Sequence, residues 1–240
     1  MEPNPQPRAA ANPASPSILS SALSSALATW VRYLVPLTLL SAIALAPQIV
    51  VALRVRAPVD QATANAVIAT AWTMLGAAWL GQLVLVGGAT AMTRGTPSQL
   101  QALGGGFVQL MRAIVPCLAA AVAIAIAGLA LVVPGLVLVV LLALTGASGA
   151  RGLPARLVDS IAVARRHLPA VALVVAAMLA LDAAIGLCAY RGFVVALSRP
   201  PTPEQLASVR HFVHALALAL VVASPLPATV LATIRTRAAP

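Results

Sequence analysis

Residues 23–36 read LSSALATWVRYLVP, and the spacing inside this stretch returns twice: LGGGFVQLMRAIVP at 103–116 and LVDSIAVARRHLP at 157–169. Relative to Arg32, Arg112 and Arg166, apolar side chains stand nine, five and two residues before and two after, and a proline follows three or four later. Steps of four, three and four residues put one apolar stripe along one side of a helix. Because 61% of the chain is hydrophobic, twelve apolar hits in twelve positions arise by chance in about 0.3% of draws. Any amphipathic helix feeding a membrane helix would look similar, and that reading leads to the same topology. Each copy marks the point where a polar stretch becomes a long apolar run.

Only 8% of the 240 residues are charged and the mean hydropathy is +0.99, whereas soluble domains carry about 25% charge. The composition is that of an integral membrane protein. All fifteen basic residues are arginine, against five acidic ones, for a net charge of +10. They stand between apolar runs, where arginine sets orientation and meets lipid phosphate, so nucleic acid is not the expected partner. Cys117 and Cys188 fall near opposite ends of their apolar runs and are expected as free thiols. Residues 1–16, with five prolines, read as a disordered tail, and 17–240 as a single membrane domain.

Residues 34–53 are twenty without a charge, enough to cross about 30 Å of hydrocarbon. Residues 62–93 make one long second helix. The uncharged stretch 113–150 is two minimal crossings, with a tight turn expected where Gly128, Pro134 and Gly135 stand together, since proline ends a helix and glycine accepts turn geometry. A fifth helix covers 169–190 and a sixth 212–234, broken near Ser224-Pro225-Leu226-Pro227. The expected fold is all-α: six transmembrane helices in three hairpins, each hairpin preceded by a short amphipathic helix at the cytoplasmic interface. Under this topology ten arginines fall on the side of the termini and five on the other, which puts both termini in the cytoplasm of an inner-membrane protein. Arg32, Arg112, Arg165 and Arg166 then become candidate contacts to anionic lipid or to a protein partner.

The run GLALVVPG at 128–135, an apolar crossing, and then Leu157 to His167 resemble the membrane domain attached to some bacterial glycerophosphodiester phosphodiesterases, and similar six-helix inner-membrane proteins. Gly128, Pro134, Gly135 and Ser160 match that pattern. An acidic residue usual before the amphipathic segment is replaced by GARGLP at 149–154. The resemblance implies a six-helix fold, and it does not carry over the hydrolase activity, because the catalytic barrel has no counterpart in this sequence.

No nucleophile and base stand in a recognisable constellation, and no catalytic residue, cofactor or metal site is expected. His211 and His214, with Cys188 and Glu204 as conceivable neighbours, read as interfacial histidines in preference to zinc ligands. Asp182 is the sharpest candidate, because a carboxyl at membrane depth costs at least about 2.5 kcal/mol and faces a partner or a cavity. It is expected either to fix helix packing, against Ser224 or Gln82, or to form a cation or proton site; packing is the favoured reading. The expected function is non-enzymatic and lipid-associated or scaffolding, with a small transporter or channel built on Asp182 as the alternative.

Overall fold

The computed structural model describes residues 18–54, 61–95, 98–197 and 202–238, and these form helices joined by turns. In chain order they are α1 (Ile18–Arg32), α2 (Leu34–Ala44), α3 (Ala46–Arg54), α4 (Gln61–Thr93), α5 (Gln99–Ala130), α6 (Val132–Leu141), a 3-10 turn (Thr145–Ala147), α7 (Leu153–Arg166), α8 (Leu168–Leu197), α9 (Pro203–Ala223) and α10 (Pro225–Arg237). The proline-rich stretch 1–16 lies outside the described residues.

Among the described residues three helices are long and apolar enough to cross a membrane: Gln99–Ala130, Leu168–Cys188 and His211–Arg237. The pair α1 and α2, bent by 92°, makes a fourth if it is one broken span. Their outer surfaces carry Val115, Ile126, Leu129, Leu173 and Leu218, each more than half exposed. Such a continuous apolar exterior is stable only against an apolar solvent.

At the centre stands α4, whose residues 81–90 are buried on every side by α2, α3, α5, α8 and α10. The last helix, α10, is enclosed in the same way from 228 to 234, between α4, α1 and α8. The main core runs through Leu37, Leu40, Leu83, Val86, Leu110, Met178 and Leu231. Close approach at the centre depends on small residues. A Cβ at Gly106 of α5 would stand 2.5 Å from Leu40 Cδ1 and 3.2 Å from the Gly88 carbonyl of α4.

Two of the three repeat copies end as the spacing predicts. The first is α1, which breaks at Tyr33 before α2, and the third is α7, which breaks at His167 before α8. The second copy is different: it continues through Pro116 as one 32-residue helix, α5, so it is not a separate interfacial helix. The segment holding Gly104 to Gly106 is fully helical there, since Gly106 is what lets α5 settle on α4.

The region 113–150 also departs from expectation. The chain reverses at Leu131, which is extended (φ −158°, ψ 137°), and Pro134 and Gly135 already belong to the first turn of α6. Proline is at no disadvantage there because first-turn N–H groups have no helical acceptor. Gly128 and Gly135 face each other across the turn, a Cβ at Gly135 falling 2.8 Å from Gly128 Cα. The returning leg is helical for only ten residues. From Leu142 to Ser148 it unwinds while staying buried, because Gly146 packs its backbone against Leu83 and Gly87 of α4, beside Cys117. The expected single helix at 34–53 is likewise two, α2 and α3, interrupted at Leu45 just ahead of Pro47. The break expected near Pro225 is present, at Ser224.

Candidate functional site

One end of the bundle gathers the polar groups, and the repeat explains how. A proline has no N–H, so the carbonyl four residues before it loses its helical donor. Pro36, Pro116 and Pro169 stand four residues after Arg32, Arg112 and Arg165. The Arg32 carbonyl instead accepts from Gln99 Nε2 at 2.5 Å, and the Arg112 carbonyl from Arg156 Nη1 at 3.2 Å. Gln99 opens the second copy's helix and Arg156 lies in the third's. The freed carbonyls of the first two copies are therefore each satisfied by a side chain from the next copy, which ties α1, α5 and α7 together.

Around this tie the backbone is shaped to suit. Ser98 caps α5 by accepting from the Gln101 amide at 3.2 Å. Gly152, at φ +84°, turns the chain into α7, and Arg156 Nε donates to the Ala150 carbonyl at 3.0 Å. Asp159 accepts from Ser148 Oγ and from Arg235 Nη2, the latter at 2.8 Å. Ser160 is buried and donates to the Leu141 carbonyl, closing the end of α6 at 2.9 Å. Neither Arg235 nor Asp159 stands among the candidate residues read from the sequence. With five acidic residues in the chain, the rarity of a carboxylate on a short arginine-rich helix was the signal that it had a partner.

The candidate arginines Arg32, Arg112, Arg165 and Arg166 are all exposed, as are Arg94, Arg151 and Arg237. Arg32 lies over the Tyr33 ring, 5.2 Å from its centroid. Among the described residues the one ion pair is Arg235 with Asp159, so these exposed guanidinium groups have no carboxylate counterion there. Beside them α1 presents a second chemistry. Ala22 and Ala26 are buried, while Leu23 and Leu27 are 43% and 42% exposed and Val31 faces outward. At 100° per residue Arg32 falls on the serine side of the helix, opposite Leu23 and Leu27.

The second polar grouping is internal. Asp182 of α8 is 6% exposed, and Gln82 of α4 and Ser224 at the α9–α10 break are fully buried. Gln82 Nε2 donates to Asp182 Oδ1 at 2.8 Å and reaches Ser224 Oγ at 3.4 Å. Of the two side chains considered from the sequence, Gln82 bonds Asp182 directly, and Ser224 joins the group through Gln82. Gln82 Oε1 is buried without a partner. Asp182 lies fourteen residues past Leu168 and Ser224 eleven before Arg235, so the cluster sits about 16 to 21 Å from the arginine end at 1.5 Å per residue. Apolar residues Leu45, Leu220, Val221, Leu181 and Ile185 pack together on the same helices, α8 and α9, with the α2–α3 junction.

His211 is exposed and His214 half-buried; among the described residues no group of three metal-ligating side chains forms. Cys117 is buried and Cys188 exposed, both free thiols. No family model matches this chain, and neither a curated protein nor a solved structure matches it.

Proposed function

We propose that this is a non-enzymatic integral membrane protein of the bacterial inner membrane whose arginine-bearing end faces the cytoplasm and binds anionic lipid headgroups. In this reading six crossings run in three hairpins with both termini cytoplasmic, the arrangement suggested by the resemblance to the membrane domain of glycerophosphodiester phosphodiesterases. The observation that carries it is the set of exposed arginines at one end with no carboxylate counterion among the described residues. A guanidinium at a bilayer surface finds its counterion in lipid phosphate, each contact contributing about 1 kcal/mol in an anionic leaflet.

The α1 helix supports the same reading. Set at 92° to α2, it would lie along the interface with Leu23, Leu27 and Val31 in the acyl boundary and Arg32 toward the headgroups. The cytoplasmic surface so formed is also where a protein partner would dock.

Two measurements test it. Protein extracted in mild detergent should retain phosphatidylglycerol or cardiolipin over zwitterionic lipid, and a variant with Arg32, Arg112, Arg165 and Arg166 all changed to glutamine should lose that enrichment. Single cysteines replacing Ser24 and Val158, both exposed, in a chain lacking Cys117 and Cys188, should resist an impermeant maleimide until the inner membrane is opened. Labelling from the periplasm, or unchanged lipid enrichment in the quadruple variant, overturns the proposal.

A further inference from the structure

We propose that Asp182, Gln82 and Ser224 form a binding site for a dehydrated monovalent cation of the sodium class, held between α4, α8 and the α9–α10 break.

The carboxylate is almost wholly enclosed, yet among the described residues its donor is the neutral Gln82 amide. An ionised carboxyl in such surroundings requires a compensating positive charge. The ion pair found among the described residues lies at the arginine end, on Asp159, and leaves Asp182 uncompensated. Gln82 turns a carbonyl oxygen into the same interior with nothing to accept from, an arrangement that costs about 1 to 3 kcal/mol as it stands. A cation beside this oxygen and the carboxylate resolves both deficits at once.

The donor set selects the ion. Carboxylate, amide and hydroxyl are hard oxygen ligands, suited to alkali and alkaline-earth cations and not to soft metals. With a single carboxylate, a monovalent ion leaves the site neutral, whereas a divalent ion would leave one positive charge uncompensated in a low-dielectric interior. The break in the helix supplies further acceptors of the same kind. Pro225 and Pro227 withhold the N–H groups that would otherwise bond the carbonyls of Val221 and Ala223, both within one turn of Ser224. Interrupted helices with freed carbonyls next to a carboxylate are how membrane proteins replace the hydration shell of small cations. On the same helices, the apolar cluster of Leu45, Leu220, Val221, Leu181 and Ile185 is suited to keep water out and so favours an ion stripped of its shell.

The test is the thermal unfolding of the full-length protein in detergent, followed by tryptophan fluorescence, in sodium, potassium and choline chloride at equal ionic strength. Sodium should raise the midpoint saturably, by about 5 °C over choline when the site is filled. Asp182→Asn should abolish this rise, and Ser224→Ala, which keeps the carboxylate, should shift the sodium titration to about tenfold higher concentration. Should Asp182→Asn not fold, the Ser224→Ala shift alone decides. Equal midpoints in the three salts overturn the proposal, as does an unaltered sodium response in both variants. Stability that follows pH and ignores sodium assigns the carboxyl a proton instead, and also overturns it.

Discussion

The Arg112 carbonyl, left without a helical donor by Pro116, accepts the guanidinium of Arg156 from α7. Here α5 continues through the proline as one helix, whereas the first copy breaks at Tyr33 although its Arg32 carbonyl also has a side-chain donor. The same guanidinium holds the Ala150 carbonyl, so Arg156 is half-buried in backbone contacts where its neighbours Arg165 and Arg166 are free.

It follows that the need for Arg156 depends on Pro116. Arg156→Gln should destabilise the protein by about 1 to 2 kcal/mol through loss of charged hydrogen bonds. In a Pro116→Ala background the restored amide satisfies Arg112, and the same change should cost measurably less. A double-mutant cycle read by denaturation in mixed micelles measures the coupling, and strict additivity would contradict the assignment.

Gly87 and Gly146 allow no side chain where α4 meets the unwound stretch. A Cβ at Gly87 would stand 2.6 Å from Ala113 Cβ and 2.7 Å from the Gly146 carbonyl, and one at Gly146 would strike the Leu83 carbonyl. Backbone is the obstacle in both cases and cannot swing aside. Gly87→Ala and Gly146→Ala should each destabilise by about 1 to 3 kcal/mol, the range for overpacked sites. Gly104→Ala is the control: its surroundings are open, so it should stabilise α5 by about 0.5 to 1 kcal/mol.

The Asp159–Arg235 pair is partly buried, with side-chain exposures of 26% and 13%. It joins α7 to the end of α10, and Ser148 shares the same carboxylate oxygen. A coupling of about 1 to 2 kcal/mol is expected between Asp159→Asn and Arg235→Gln, above the 0 to 1 of an exposed pair and below a fully buried one. Arg235→Lys should recover part of it, since the charge survives and the planar fork does not.

Ser160→Ala removes the hydroxyl that closes α6 at Leu141. About 1 kcal/mol of stability should go with it, and the loss should be local. Hydrogen exchange should accelerate from Leu142 to Ser148 and remain unchanged in α8.

Much of this architecture was legible in the sequence because polar residues are so few. Gln82, Asp182 and Ser224 stand in separate apolar stretches, and in an apolar interior each must find another; their meeting follows from that scarcity. The arginine-to-proline spacing gave the helix breaks at Tyr33 and His167, and the paired prolines gave the break at Ser224. Where expectation and structure part, the deciding contact lies far away in the chain. Nothing near Pro116 says that Arg156 will serve Arg112. Pro134 and Gly135 look like a reverse turn, but the reversal falls at Leu131 and the glycine serves instead to meet Gly128. Thr145 and Gly146 look like ordinary membrane-helix residues, and only the backbone of α4 reveals why the helix unwinds there.

The burial of residues 81–90 of α4 has a consequence for biogenesis. Gln82 leaves the ribosome well before Asp182 and Ser224 have been synthesised, so its amide must wait without either partner while later segments are inserted. Until α8 and α10 arrive, the growing protein displays a polar flaw in α4, which quality-control proteases of the bilayer are equipped to notice. Assembly of this bundle is therefore a race between completion and surveillance, and slowing translation after α7 should lengthen the interval in which the chain is vulnerable.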